Sequence, residues 1–227
     1  MFGVPVTIHP SLWLTLALVG GVLSVTSVSG MLAVALFVIA GFFCLLVHEM
    51  GHALVGRGFG GGEPQVFMAW LGGDCCNERA VLTRWQGVLM TAAGPAASAL
   101  LGLLAYAALS LYIGSFEGGA YLSLNYIFGI VPPEYSDLFP PMGLAFFRCL
   151  IQVSFWWTLL NLIPVFPLDG GQIMHGLMRS SHTMHVVSLV VALALVMLFI
   201  MFNLWLMAML MGFLAYINYR GLQQAPY

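Results

Sequence analysis

The sequence predicts an all-α integral membrane protein with about six transmembrane helices and a short β-like, membrane-associated loop after the second helix. Of the 227 residues, 61% are hydrophobic and only 6% are charged, and the mean hydropathy is +1.00. Soluble domains carry about 25% charged residues, so the composition excludes an ordinary soluble protein and predicts a chain surrounded by the lipid bilayer. The net charge of -2 is too small to indicate a nucleic-acid partner.

Apolar stretches in the first half of the chain define three predicted spans, since about 20 apolar residues cross a bilayer. The first covers 12–29 and has no basic segment before it, so we expect it to be retained rather than cleaved as a signal. The second covers 31–56. A β-compatible run at 65–71 follows, and the third span covers 86–112. Within that span, the small residues of 92–98 predict close helix contact.

The second half contains a polar connector and the remaining spans. The connector, 114–141, is rich in proline and acidic residues and is expected to lack a transmembrane helix; its acids are Glu117, Glu134 and Asp137. A fourth span is predicted at 144–163, and the prolines and glycines of 164–171 then exclude regular helix throughout. The apolar stretch 186–217 is too long for one span, so we expect a turn near Asn203 between two helices.

These elements predict a single domain over residues 1–227, without a separate soluble domain and with core spans at about 31–56, 86–112 and 144–163. Arginine placement predicts its orientation, because basic residues favour the cytoplasmic side. With six spans, Arg148 alone lies on the opposite side from the other five, which are Arg57, Arg79, Arg84, Arg179 and Arg220. We therefore expect both termini in the cytoplasm, and a bacterial or archaeal cell membrane as the location.

The motif His48-Glu49-Met50-Gly51-His52 ends the second apolar stretch. Residues four apart share a face of a helix, so the two imidazoles can bind one metal ion with Glu49 beside it as a general base. Imidazoles and a carboxylate are costly in hydrocarbon unless they are paired. A hydrolytic zinc site within the membrane explains both the residue types and their position.

Catalytic zinc normally takes three protein ligands and keeps a position for water, so another ligand is required. Asp169 is the best candidate from the residues alone, because it lies in the segment broken by proline and glycine, where irregular backbone in a membrane must line a cavity or pack against protein. His175 is the alternative third ligand. His182 and His185 are more typical of ordinary interfacial histidines.

The chain resembles the site-2 protease family of intramembrane zinc metalloproteases. The resemblance rests on the HExxH motif at 48–52, Gly94-Pro95, and the run Asn161-Leu-Ile-Pro-Val-Phe-Pro-Leu-Asp169-Gly-Gly. It implies a catalytic Zn²⁺ held by His48, His52 and Asp169. It also implies that Glu49 is the catalytic acid/base and that Asn161 contacts the substrate. One departure is Ser98, where family members often have asparagine, and no role is assigned to it.

The resemblance implies hydrolysis of peptide bonds within or near the transmembrane segments of single-span membrane proteins, with any regulatory membrane partner unidentified. The run at 65–71 is expected to pair with the unwound substrate as an added strand. Two alternatives are a membrane transporter with a metal site and a catalytically inactive membrane-binding homologue. A transporter does not need a glutamate beside the histidines, and an inactive homologue usually lacks one of the chemical groups, so the protease is favoured.

Overall fold

The computed structural model describes residues 3–60, 62–70, 72–76, 82–130, 132–133, 141–178 and 180–224. This part of the chain contains eight α-helices and three β-strands. They are β1 (Val6–Ile8), α1 (Pro10–Val19), α2 (Val28–Gly58), β2 (Gln65–Ala69), β3 (Gly72–Cys76), α3 (Arg84–Ile113), α4 (Phe116–Ile127), α5 (Pro141–Asn161), α6 (Asp169–Met178), α7 (Ser181–Met201) and α8 (Trp205–Gln224). Four residues from the charge argument, Arg79, Glu134, Asp137 and Arg179, lie outside the described residues.

The chain divides into two compact units, and the boundaries fall within α3 and α5. One unit comprises Met1–Val81 and Ala93–Thr158, and the other comprises Leu82–Ala92 and Leu159–Tyr227. The core of the first unit contains buried residues from α1, α2 and β2, and a further cluster from α2 to α5. The core of the second unit lies between α7 and α8 and includes Val165. The single domain inferred from the sequence stays a prediction.

Three of the described helices, α2, α3 and α7, are long and apolar enough to cross a membrane. The 31 residues of α2 extend over roughly 46 Å at the usual rise of an α-helix, more than the roughly 30 Å of a hydrocarbon core. The mostly helical membrane fold is therefore confirmed. The count of about six transmembrane helices is not confirmed and stays a prediction.

The predicted span at 12–29 differs from the structure. Helix α1 ends at Val19 after 10 residues, which give roughly 15 Å of helix and cannot cross a bilayer alone. Gly20 and Gly21 end the helix, and Gly21 has φ 82°, a left-handed conformation that interrupts an α-helix. Mean hydropathy over the stretch did not reveal this break, because glycine is neutral on a hydropathy scale.

Helix α4 lies in the predicted polar connector and was missed. The Ser115 Oγ caps it by accepting from the Gly118 N–H at 3.0 Å. Gly119 packs directly against Ser110 of α3, where a side chain would overlap the hydroxyl. Buried Leu122 and Tyr126 join the core of the first unit. Tertiary packing therefore stabilises a helix whose two adjacent glycines disfavour it locally.

The predicted turn within 186–217 is confirmed, because α7 ends at Met201 and α8 begins at Trp205. Asn203 adopts φ 55° between them, a left-handed conformation that asparagine tolerates better than most residues. Leu204 then donates its N–H to the Phe199 carbonyl at 2.8 Å.

The β-like run at 65–71 forms β2 over Gln65–Ala69, but its expected role is wrong. The sheet has the order β1-β2-β3, so β2 is the central strand. It pairs in parallel with β1 and antiparallel with β3. Both edges of a central strand carry ladder hydrogen bonds, so β2 cannot accept an added substrate strand. The edge strands of this sheet are β1 and β3.

Candidate metal centre

His48 and His52 face each other on α2, within the first unit. Their Nε2 atoms lie 3.1 Å apart and their rings are nearly perpendicular. Both side chains are buried, with 2% and 8% of their surface exposed. Two nitrogens bound at about 2.0–2.1 Å to a tetrahedral zinc ion lie roughly 3.3 Å apart. The pair therefore fits a shared metal ion without a change of rotamer.

Ser98 of α3 fixes the orientation of His48. Its Oγ lies 3.0 Å from His48 Nδ1 and donates to the Gly94 carbonyl at 3.0 Å. Because that hydroxyl hydrogen is used on Gly94, the Oγ accepts from the Nδ1–H of His48. In this tautomer Nε2 carries no hydrogen and could bind a metal ion, and such outer hydrogen bonds orient ligating histidines in metal sites. Sequence analysis missed this role; the signal was a lone hydroxyl within the small-residue run 92–98.

Glycines and alanines bring α3 against the motif. A Cβ atom at Gly51 would lie 2.5 Å from the Ala93 carbonyl oxygen, and one at Gly94 would overlap the His52 ring. The close helix contact predicted for 92–98 is thus confirmed. The same positions that permit this contact also define the space occupied by the His52 imidazole.

Glu49 lies beside the histidines and against β3. Only 4% of its surface is exposed, and any side chain at Gly73 of β3 would overlap its carboxyl group. The sheet edge therefore reaches the carboxylate through backbone alone. A carboxylate next to two imidazoles that could bind a metal ion is placed to accept a proton from water.

Trp157 of α5 also contacts the motif and was not singled out from the sequence. Its ring lies 6.3 Å from the His48 ring, edge to face. Tryptophan brings a large apolar surface to this position. His48 thus contacts a hydroxyl on one helix and an aromatic ring on another, which restricts the motion of its imidazole.

Asp169 is the first residue of α6, in the second unit, and is 7% exposed. A carboxylate is favoured at a helix N-terminus. Side chains at Gly170 and Gly171 would overlap the backbone of Leu162–Ile163 and of Val165–Phe166, respectively. The first turn of α6 therefore packs backbone to backbone on the preceding loop, and this contact determines where the aspartate lies.

The other candidate residues have separate positions in the second unit. Asn161 is the last residue of α5 and is buried; its contact with substrate stays a prediction. His175 is exposed, and its Nε2 lies 3.1 Å from Ser181 Oγ. His185 Nδ1 lies 2.9 Å from Asn218 Oδ1. These two histidines thus have hydrogen-bond partners other than a metal ion.

Comparison with known proteins identifies the family. The model of peptidase family M50 matches residues 34–204, about three quarters of the chain. The chain belongs to peptidase family M50. The match includes the HExxH motif and Asp169, and M50 membership makes this a membrane-embedded protein. The resemblance to the site-2 protease family is confirmed.

Two relatives illustrate the extent of the similarity. A protein of Synechocystis sp. described as a zinc metalloprotease is 27% identical over 189 residues, which are 77% of this chain and 41% of that protein. The chain therefore spans about two fifths of that relative. The site-2 protease structure from Methanocaldococcus jannaschii matches with a TM-score of 0.54 and 19% identity, covering 99% of this chain and 92% of the other. The two chains share a fold.

We expect Ser98→Ala to weaken zinc binding by about 10-fold or more, because His48 loses the acceptor that orients it. Ser110→Ala is the matched control: Ser110 lies on the same helix, is buried, and makes the same bond to the carbonyl four residues before it, at 2.9 Å. Titration of the metal-free proteins with zinc against a chromophoric chelator measures the difference. Equal affinities for the two variants would show that Ser98 does not orient the ligand.

Proposed function

We propose that this chain is an intramembrane zinc metalloprotease that hydrolyses peptide bonds within or near the transmembrane segments of single-span membrane proteins. The observation that carries the proposal is the buried pair of Nε2 atoms, 3.1 Å apart, with Glu49 between the two histidines on an apolar helix of membrane length. Membership of peptidase family M50 supports it.

His48, His52 and Asp169 are proposed to hold the zinc ion, since each is buried and each offers one ligand atom. Two imidazoles and one carboxylate form a common catalytic zinc set that keeps one position for water. The sequence alternative, His175, is exposed and bonded to Ser181. The carboxylate of Asp169 is therefore the better third ligand.

The chemistry follows from the residues of the motif. Bound zinc supplies a Lewis acid that acidifies water and polarises the scissile carbonyl. Glu49 accepts the proton from the attacking water and donates it to the departing amine, which restores the carboxylate. Ser98 holds the His48 ring through this cycle. A transporter with a metal site has no use for such a base beside the ligands.

The substrate must lose helical structure before it reacts, because a helix uses its own carbonyls in hydrogen bonds. Of the two edge strands, β3 has the backbone of Gly73 against the Glu49 carboxyl group. We propose that the unwound segment pairs along β3, in place of the central strand β2. Asn161 is proposed to hold the substrate backbone. A regulatory membrane partner stays a prediction, and its identity is not inferred.

The proposed orientation places both termini in the cytoplasm of a bacterial or archaeal cell, with the catalytic residues nearer that face. Arg57 lies in the last turn of α2, Arg84 begins α3, and Arg220 lies near the end of α8. These helix ends suit the cytoplasmic side, where basic residues accumulate. His48 lies nine residues before Arg57, or roughly 13 Å along the helix, so the site lies inside the membrane at modest depth.

Glu49→Gln should lower kcat/KM by at least about 100-fold while zinc content stays near one ion per chain, because the amide keeps the size but cannot accept the proton. Glu63→Gln makes the same change at an exposed position and should leave turnover intact. The assay uses purified protein and a single-span fluorescent reporter. Near-normal turnover by Glu49→Gln would remove the mechanism.

Asp169→Ala should lower zinc content and activity together, because two imidazoles alone bind zinc less tightly than a complete ligand set. His175→Ala on the same helix should keep the metal. Elemental analysis of the purified proteins provides the comparison. Full zinc content in Asp169→Ala, with loss in the histidine variant, would reverse the ligand assignment.

Single-span reporters with Asn-Gly near the expected cleavage point should be cleaved at least several-fold faster than matched reporters with Leu-Ala there, since poor helix formers ease unwinding. The product should be a cytoplasmic fragment that leaves the membrane, and mass spectrometry locates the cut. Cleavage that maps only to soluble loops and ignores helix propensity would instead indicate a membrane-anchored protease of exposed peptides.

A further inference from the structure

The backbone of Phe166, three residues before Asp169, is held at both of its peptide groups by the last two helices. Its N–H donates to Ser188 Oγ of α7 at 3.0 Å, and its carbonyl accepts from Asn218 Nδ2 of α8 at 2.6 Å. Ser188 and Asn218 have no exposed surface. Buried backbone groups in irregular segments need such partners, and here two separate helices provide them to one residue.

The orientation of the Asn218 amide is determined by its other contacts. Its Nδ2 also donates to the Leu214 carbonyl at 2.8 Å, so both hydrogens of the amide are used on carbonyl oxygens. Its Oδ1 therefore accepts from His185 Nδ1–H at 2.9 Å. The His185 ring stands edge to face against the Phe166 ring, with centroids 5.7 Å apart, so it contacts the side chain of the residue whose peptide is held.

The constraint on Phe166 passes directly to the first turn of α6. Any side chain at Gly171 would overlap the backbone of Val165 and Phe166, so this turn rests on the held peptide group. Leu168 donates its N–H to the Val165 carbonyl at 2.9 Å, and Gln172 Nε2 donates to the Pro167 carbonyl at 2.9 Å. Between the held peptide and Asp169, the chain has little freedom to shift.

We propose that Ser188 and Asn218 are positioning residues for Asp169: by holding the backbone N–H and carbonyl of Phe166, they set the place of the third metal ligand. The proposal rests on the proposed function, in which Asp169 binds zinc. Neither residue offers a ligand to the metal. Each acts through the backbone of Phe166 and the contact of Gly171 with it, and metal sites are sensitive to such supporting contacts.

The test compares zinc affinity with stability in the purified full-length protein. Ser188→Ala removes the acceptor for the Phe166 N–H, whereas Ser188→Thr keeps a hydroxyl. Met211→Ala is the control, because Met211 is fully buried in the same core, on the same helix as Asn218, and its truncation leaves the side chains of Ser188 and Asn218 unchanged. Zinc affinity is measured by chelator competition at a temperature where all variants are folded, and thermal unfolding is followed without metal.

We expect Ser188→Ala to weaken zinc binding about 10-fold, with Ser188→Thr restoring most of the affinity. Met211→Ala should unfold at lower temperature and yet bind zinc within twofold of the unmodified protein. Asn218→Asp, which loses both donors, should resemble Ser188→Ala. If it does not fold, Gly171→Ala provides the second variant, since it displaces the same turn of α6 and should weaken zinc binding without altering Ser188 or Asn218.

Three results would overturn the proposal in distinguishable ways. If Asp169→Ala loses zinc but Ser188→Ala and Gly171→Ala bind it within twofold of the unmodified protein, Asp169 is a ligand and its position does not depend on the held peptide. If Asp169→Ala itself keeps zinc, the ligand assignment fails and the positioning role fails with it. Equal losses of affinity in Ser188→Ala and Met211→Ala would indicate general destabilisation, which also rejects a positioning role.

Discussion

The facing imidazoles of His48 and His52, enclosed with Glu49 on one apolar helix, impose the constraint on which the rest of the first unit depends. Such groups are costly in hydrocarbon, so protein must cover them. Besides the side chains of Ser98 and Trp157, several of the contacts are made by glycine: Gly51 faces Ala93, Gly94 faces the His52 ring, and Gly73 faces the Glu49 carboxyl group. Backbone therefore surrounds the motif closely, and small residues are required at these positions for steric reasons.

The second unit places its aspartate by the same means. Pro164 and Pro167 prevent α5 from continuing, and the irregular backbone that follows needs hydrogen-bond partners. The α7 and α8 side chains provide them at Phe166. Gly170 and Gly171 then let α6 begin directly on that backbone. In both units, a glycine beside the candidate site residue replaces side-chain packing with backbone contact, which is stiffer because it has no rotamers to change.

The predictions that the structure confirms concern features that depend on local sequence patterns. The HExxH spacing on a helix, the long apolar helices α2, α3 and α7, and the turn at Asn203 all follow from residues near one another in the chain. The errors concern contacts between distant residues or local breaks: α4 depends on Gly119 packing on Ser110, α1 ends at two glycines that hydropathy does not weigh, and β2 is central only because β1 pairs with it. The bond from Ser98 to His48 joins residues 50 positions apart, so the lone hydroxyl in the run 92–98 does not by itself indicate its partner.

Burial affects the proposed chemistry of the motif as well as the cost of placing its polar groups in the protein. Electrostatic interactions are stronger where water is excluded, and the Glu49 carboxylate beside the two imidazoles is only 4% exposed. Preorganised dipoles are effective in catalysis because they need not reorient during the reaction. The contacts of Ser98 and Trp157 with His48 limit such reorientation. Packing and chemistry therefore cannot be varied independently, because Ser98 and Trp157 both bury the His48 imidazole and hold it in place.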